Sequence, residues 1–381
     1  MSGHALLSPS AAHRWLNCTA APLLEAKIPD SGSDYAREGS LAHAMAAASL
    51  KQYLGRNCGS ELEEIAELSE YRSTEMEQYV DDYCTAVLDR FREARARTSD
   101  AVMIIEKKVD ASEWAPGVTG TADTIIIADG IMDVIDLKYG KGVEVSAENN
   151  PQMMIYALGA ISRYDMEYSI EQVRMSIFQP RIGNYSTFEA SVSSLIEWGN
   201  KILSTAAKEA TTGPGRTQAG DWCRFCKVRG TCRALAEYCT EPFEKYPDAS
   251  ELSLAEIAGE ILPRIAAIKT WCTTMEDYAL AKALGGDNVP GYKLVEGRSV
   301  RKVTDSAKLH DRLTDAGYPD SDIMKPAELK ALTELEKLVG KKAFTSLSTD
   351  CVSKPEGKPT LVPVSDKRKE YKPTNNFEVI K

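Results

Sequence analysis

The sequence predicts an α/β protein: a mixed β-sheet flanked by helices, followed by a mainly helical C-terminal region. Three observations carry this. Residues up to about 97 have the texture of helices. Three β-rich runs then follow, "AVMIIEKKVD" (101–110), "GTADTIIIADG" (120–130) and "IMDVIDLKYG" (131–140). Beyond them helix and strand patterns alternate, an order that builds a sheet with helices packed on it.

Taken in order, Ser8-Pro9 places an N-cap before a proline at the first helical position, and the helix is expected to run to about Glu25. A second helix is expected over 34–54, rich in alanine and leucine. A third, broken or bent and strongly charged, covers 61–97. After the three strands, Asn150 caps a helix over 149–164 with Pro151 at its first position. "QVRMSIFQPR" (172–181) and "YSTFEASV" (185–192) are strands joined at Gly183-Asn184. A helix over about 193–210 leads into "GPGR" and a cysteine cluster. Residues 251–284 read as helical, 290–305 as hairpin-like, and two short helices fall near 306–315 and 327–338. The last stretch, rich in proline and lysine, reads as an extended or disordered tail. The expected divisions are 1–245, 246–345 and 346–381.

With 381 residues, 43% hydrophobic and 27% charged, the composition is that of a soluble globular protein. No run is long or apolar enough for a membrane helix. The opening "MSGHALLSPSAAHRW" lacks the regions of a signal peptide, so a cytoplasmic location is expected. Nine cysteines there are expected as thiols or metal ligands rather than disulfides. The net charge of −10 argues weakly against a chain coated with nucleic acid. Charge is local, however: residues 211–235 carry Arg216, Arg224, Lys227, Arg229 and Arg233 against Asp221 alone. Arg90, Arg92, Arg95 and Arg97 form a second basic cluster. Each cluster by itself reads as a solvated face.

Asp129-Gly130 is a strong two-residue hairpin signal. With that turn, Ala128 faces Ile131, Ile125 faces Val134, Asp123 faces Asp136, and Lys138 faces Thr121. Directly opposed side chains share a face. The other residues on this face, Ile125, Ile127, Met132 and Val134, are apolar. Burying carboxylates and an ammonium there is costly unless they are paired or bind something. Two facing carboxylates repel unless one holds a proton or a cation lies between them. A hard dication such as Mg²⁺ suits such a site. Lys138 would then orient or deprotonate an attacking water, or stabilise charge developing on a phosphate. The plainer reading is a salt-bridged triad at a sheet edge, and a one-residue slip would put the two aspartates on opposite faces.

Gln152 and Tyr156 are four apart and share a helix face; Met154, Leu158 and Ile161 form another, expected to be buried. His43, on an alanine-rich helix, reads by itself as a packed core residue, and His4, His13 and His310 match nothing. "CRFCKVRGTC" supplies Cys223, Cys226 and Cys232, one short of the four thiolates that zinc or a cubane cluster takes. Cys18 and Cys239 compete for the fourth place. Cys239 would make a local zinc knuckle; Cys18 would staple the first helix to the segment after the core. Cys58, Cys84, Cys272 and Cys351 look incidental. Trp222 and Phe225 read as packing around the metal, with stacking on single-stranded bases as the alternative.

Asp123 followed by Asp136-Leu137-Lys138 resembles the core of the PD-(D/E)XK nuclease superfamily. Gln152 and Tyr156 are similar to the Q-x-x-x-Y helix of its RecB-type members, and Gly39 and His43 to the G-x-x-x-H helix that precedes their core. Cys18 with Cys223, Cys226 and Cys232 resembles the split iron–sulfur ligand set of RecB-like and CRISPR-associated RecB-like exonucleases. The opening "LSPSAAHRWLNC" is similar to their first helix, with Thr19 where that family usually has proline. The resemblance covers about residues 5–240. The C-terminal region resembles the tail of an uncharacterised phage- and prophage-encoded family. The resemblance implies a restriction-endonuclease-like core and a deoxyribonuclease, expected as an exonuclease, working in phage recombination, replication or DNA processing. It implies His43, Asp123 and Asp136 as ligands of Mg²⁺ or Mn²⁺, Lys138 as a catalytic residue, and Gln152 and Tyr156 as supports that position the nucleophilic water or a DNA phosphate. It implies Cys18 and a [4Fe–4S] cluster over structural Zn²⁺. The rival expectation is a non-catalytic DNA-binding or recombination-complex subunit that keeps the fold and cluster. A nearer one is a nuclease that works only beside a single-strand annealing protein or helicase. No Walker A pattern occurs, so any motor is a separate chain.

Overall fold

The computed structural model describes residues 6–28, 33–245 and 251–293. A five-stranded mixed sheet in the order β1-β2-β3-β4-β5 lies at the centre. Its strands are β1 (Val102–Asp110), β2 (Thr119–Ala128), β3 (Ile131–Leu137), β4 (Gln172–Gln179) and β5 (Asn184–Ser191). β3 and β4 run parallel and the other neighbours antiparallel. A parallel pair needs a crossover, and the helix Pro151–Tyr168 supplies it. The hairpin register is as expected: Ala128 pairs with Ile131 and Ile125 with Val134. Asp129 and Gly130 make the turn, both with positive φ (54° and 70°), the conformation that matches the right-handed twist of the strands.

Helices cover both faces. Before the sheet lie α1 (Ala12–Asn17), α2 (Ala21–Glu25), α3 (Asp34–Tyr53), α4 (Gly59–Glu67) and α5 (Thr74–Arg97). After β3 come α6 (Pro151–Tyr168), α7 (Val192–Trp198), α8 (Ser204–Thr212), α9 (Arg233–Lys245), α10 (Leu254–Glu256) and α11 (Ile265–Leu284). One core joins α1, α6 and α8 to Ile125, Ile127, Met132 and Val134. The other joins α3 and α5 to Met103, Ile126, Ile135 and Leu137. Strand alternation thus sorts each strand's residues between two helical layers. The expected buried face of α6, Met154, Leu158 and Ile161, lies in the first core, and Asn150 caps that helix by accepting from the N–H groups of Gln152 and Met153.

The first helix departs from expectation. It opens as a 3₁₀ turn (Pro9–Ala11), continues as α1, and breaks at Cys18, whose φ of −122° and ψ of 86° are not helical. The cause is distant in sequence. Thr19 is fully buried; its Oγ1 accepts from Arg216 N at 2.7 Å, and Ala20 N donates to Arg216 O at 3.2 Å. Gly215, with φ of 69°, lies so close that a Cβ there would stand 2.5 Å from the backbone of Thr19 and Ala20.

The expected boundary at 245 adjoins residues outside the described set. The hairpin-like stretch at 290–305, the helices near 306–315 and 327–338, the boundary at 345 and the tail lie mostly or wholly outside it. Among the described residues, no helix is long and apolar enough to cross a membrane.

Gly130→Ala tests the turn. A Cβ there meets nothing closer than 3.6 Å, so the cost is the left-handed φ alone, about 1 kcal/mol. Urea unfolding should show the midpoint falling with an unchanged m-value.

Candidate active site and cysteine cavity

Continuing the hairpin register sets Asp123 opposite Asp136, and the β1–β2 register sets Glu106 opposite Asp123. Hydrogen-bonded pairing fails at both places. The β1 ladder passes from Ile105–Thr124 to Lys107–Ala122 and skips Glu106, while β2–β3 pairing stops at Thr124–Ile135. Glu106 has a φ of 48°, a strained value for a non-glycine residue. In place of a backbone partner, Leu137 N donates to Asp123 Oδ2 at 2.7 Å. The sheet therefore opens at Asp123, and side chains from both helical layers reach it.

From one layer, α3 brings His43, whose Nδ1 lies 3.3 Å from Asp123 Oδ2. Ligand atoms of His43, Glu106 and Asp123 all fall within 4.8 Å of one another. Burial alone would push the His43 imidazole down, but the Asp123 carboxylate outweighs it and holds the ring up at about 9. Burial and the neighbouring Asp123 charge push Glu106 up to about 7. Asp123 is also pushed up by burial, yet His43, the Leu137 N–H and Lys138 bring it below the ordinary carboxylate range.

From the other layer, α6 brings Gln152 and Tyr156. Lys138, one residue past β3, pairs with Asp136 Oδ2 at 2.8 Å and donates to Gln152 Oε1 at 2.9 Å. Gln152 Nε2 donates to Asp136 Oδ1 at 3.3 Å and to the Tyr156 hydroxyl at 3.0 Å. Burial raises Asp136, with the Asp123 charge adding to it against the pull of Lys138. Tyr156 packs against Gly120, where a Cβ would lie 2.6 Å from its ring and 2.9 Å from Pro9. Only glycine lets the 3₁₀ turn and Tyr156 meet across β2.

All six expected residues of this site are thus together, in two linked groups: His43–Asp123 and Asp136–Lys138–Gln152–Tyr156. Asp136 stands outside the tight ligand group: Oδ1 accepts from Gln152, while the buried Oδ2 lies beside the Lys138 ammonium without accepting a hydrogen bond. Glu106 takes that place and was missed. A charged residue inside an apolar strand was the available signal, but it pointed nowhere without the β1–β2 register.

The cysteines form a second centre. Cys18, Cys223, Cys226 and Cys232 line one cavity, with Trp222 in its wall. Cys239, buried in α9, does not line it. Around the cavity, Arg14 pairs with Glu25 at 2.9 Å, and Glu25 accepts from Lys227 N at 2.7 Å. His13 pairs with Asp221 at 3.2 Å and sets its ring against Trp222. Phe225 is 64% exposed beneath the Arg224 guanidinium, so of the two aromatics only Trp222 packs at the cavity. Cys84 donates to Ala46 O within the second core. His4, His310 and Cys351 lie outside the described residues.

A family model described as "Protein of unknown function (DUF2800)" matches residues 4–369. The chain belongs to this family. A solved structure described as the crystal structure of SSO0001 is similar at 14% identity, over 57% of this chain and 95% of its own, with a TM-score of 0.21. That likeness is too slight to bear on fold or function. The DUF2800 description assigns no activity.

A dication at His43, Glu106 and Asp123 must displace protons. His43 near 9 and Glu106 near 7 are both protonated in part or whole at pH 6. Calorimetric titration of Mn²⁺ should therefore show affinity rising about tenfold or more per pH unit between 6 and 8, with net proton release. Affinity that stays flat over this window would count against the trio as the ligand set.

Proposed function

We propose that the chain is a metal-dependent deoxyribonuclease of the PD-(D/E)XK type that hydrolyses DNA phosphodiester bonds from free ends. The observation that carries this reading is the Lys138 ammonium, held between Asp136 and Gln152 beside a cluster of one imidazole and two carboxylates. A salt-bridged structural triad explains Asp136 and Lys138. It does not explain why His43 and Glu106 converge on Asp123 where the ladder is interrupted.

His43, Glu106 and Asp123 fit Mg²⁺ or Mn²⁺, since two carboxylates suit a hard cation and an imidazole tilts the set toward Mn²⁺. Bound there, the ion would neutralise phosphate charge and lower the pKa of water. The chain's own residues do the rest. Lys138 presents a compact positive charge to the place where negative charge grows as the phosphate is attacked. Asp136 keeps that charge on the nitrogen and fixes its direction. Gln152 bridges the two through separate donor and acceptor atoms, and Tyr156 accepts from Gln152 and so sets the amide's orientation.

The cysteine cavity supports a structural [4Fe–4S] cluster within the same reading, with Zn²⁺ as the alternative. A tetrahedral zinc with sulfurs at about 2.3 Å sets them about 3.8 Å apart. What supports either group is that Cys18, from the first helix, lines the same cavity as Cys223, Cys226 and Cys232.

End-labelled DNA incubated with Mn²⁺ or Mg²⁺ should be cut, and chelator should abolish cutting. Lys138→Ala and Asp123→Ala should each lower the rate by about 10²-fold or more, with folding checked by circular dichroism. Cutting by Lys138→Ala at the parent rate would sink the proposal. Separately, anaerobically purified protein should carry iron and acid-labile sulfide, absent from Cys18→Ser and retained in Cys239→Ser. Zinc without sulfide would replace the cluster with the alternative.

A further inference from the structure

A cleft of about 320 Å³ lies between the cysteine segment and α11. It shares Cys223, Arg229 and Leu235 with the cysteine cavity. The cleft includes Arg224, Arg229 and Lys269 against a single acidic residue, Asp221, and two flat aromatics, Tyr238 and Trp271. In a chain of net charge −10, three cations around one cleft are a local reversal of sign. Arg229 is committed to structure: its Nε donates to Thr274 Oγ1 at 3.0 Å and its guanidinium to Arg224 O at 2.6 Å. Arg224 and Lys269 are exposed and have no ion pair among the described residues. The Arg224 guanidinium lies only over its neighbour Phe225, 5.6 Å from the ring centroid.

We infer that this cleft binds single-stranded nucleic acid, with Trp271 stacking on an unpaired base and Lys269 and Arg224 on the flanking phosphates; the Tyr238 ring is held under the Arg264 guanidinium, 4.9 Å from its centroid. Base stacking needs a flat apolar surface beside a cationic rim. A paired duplex hides its base faces and could use only the cations. The inference deepens the nuclease reading by giving a substrate strand a second holding point, on a helix that takes no part in the Asp123–Lys138 site.

The test is fluorescence anisotropy of a labelled oligothymidylate with the full-length protein in chelator, so that binding is read without cutting. Trp271→Ala should weaken binding about tenfold. Lys269→Glu should weaken it and reduce the slope of log affinity against log salt by about 0.7 for each phosphate no longer neutralised. Lys201→Glu makes the same charge change at an exposed residue remote from the cleft and should have little effect. Duplex of equal length should bind more weakly and ignore Trp271→Ala. If the parent binds oligothymidylate and both cleft variants bind equally well, the cleft inference falls and the nuclease reading stands. If the parent cuts DNA but duplex binding is the one that Trp271→Ala weakens, the strand assignment is wrong. If the parent neither binds nor cuts any DNA, both readings fall together.

Discussion

Two carboxylates set opposite each other on adjacent antiparallel strands cannot both be buried and ionised without compensation. Asp123 and Asp136 impose that constraint, and the fold meets it from two sides. Asp123 is compensated by His43, which comes from the α3 layer, and by the Leu137 N–H. Asp136 is compensated by Lys138, just past the end of its strand, and by Gln152 from the α6 layer. The shifts of the two acids in opposite directions are the electrostatic record of this division. Each helix must then lie on its own face of the sheet at the right height, and the apolar stripes of α3 and α6 set that height.

Legibility in the sequence followed how local each cause was. The β2–β3 register rests on two turn residues, Asp129 and Gly130, and so the facing of Asp123 and Asp136 could be read directly. Gln152 and Tyr156 follow from helical spacing in the same way. Glu106 could not be read. The β1–β2 connection, residues 111–118, is too long to fix a register, and the positive φ that aims Glu106 is set by tertiary packing. The break at Cys18 was hidden for a similar reason. Ser8-Pro9 and the helix-forming residues after it favour a continuous helix, and the contact that interrupts it, Thr19 with Arg216, spans most of the described core in sequence.

The position of Thr19 shows how a departure from a pattern can still be a tight fit. A proline after Cys18 would stiffen the turn but could not accept from Arg216 N. The threonine hydroxyl does, and it also donates to Glu209 at 3.3 Å. Its full burial is therefore satisfied rather than costly. The same contacts hold the segment that brings Cys18 to the cavity lined by the other three.

The two centres are joined by packing. Pro9 begins the 3₁₀ turn that leads through α1 to Cys18, and Trp15 Nε1 on that helix donates to Ser8 O at 2.9 Å, folding the turn back on itself. Pro9 and Tyr156 both close on Gly120, where a Cβ would lie 2.9 Å from one and 2.6 Å from the other. Tyr156 accepts from Gln152, and Gln152 accepts from Lys138. Each step is a van der Waals contact or a hydrogen bond between buried or partly buried groups, where packing leaves little slack. This run of neighbours leads from Lys138 to α1, whose far end is anchored by the Cys18–Thr19 corner. On the proposed reading, a group bound by the four thiols would hold that corner, and with it the end of the helix that packs toward Gly120 and Tyr156.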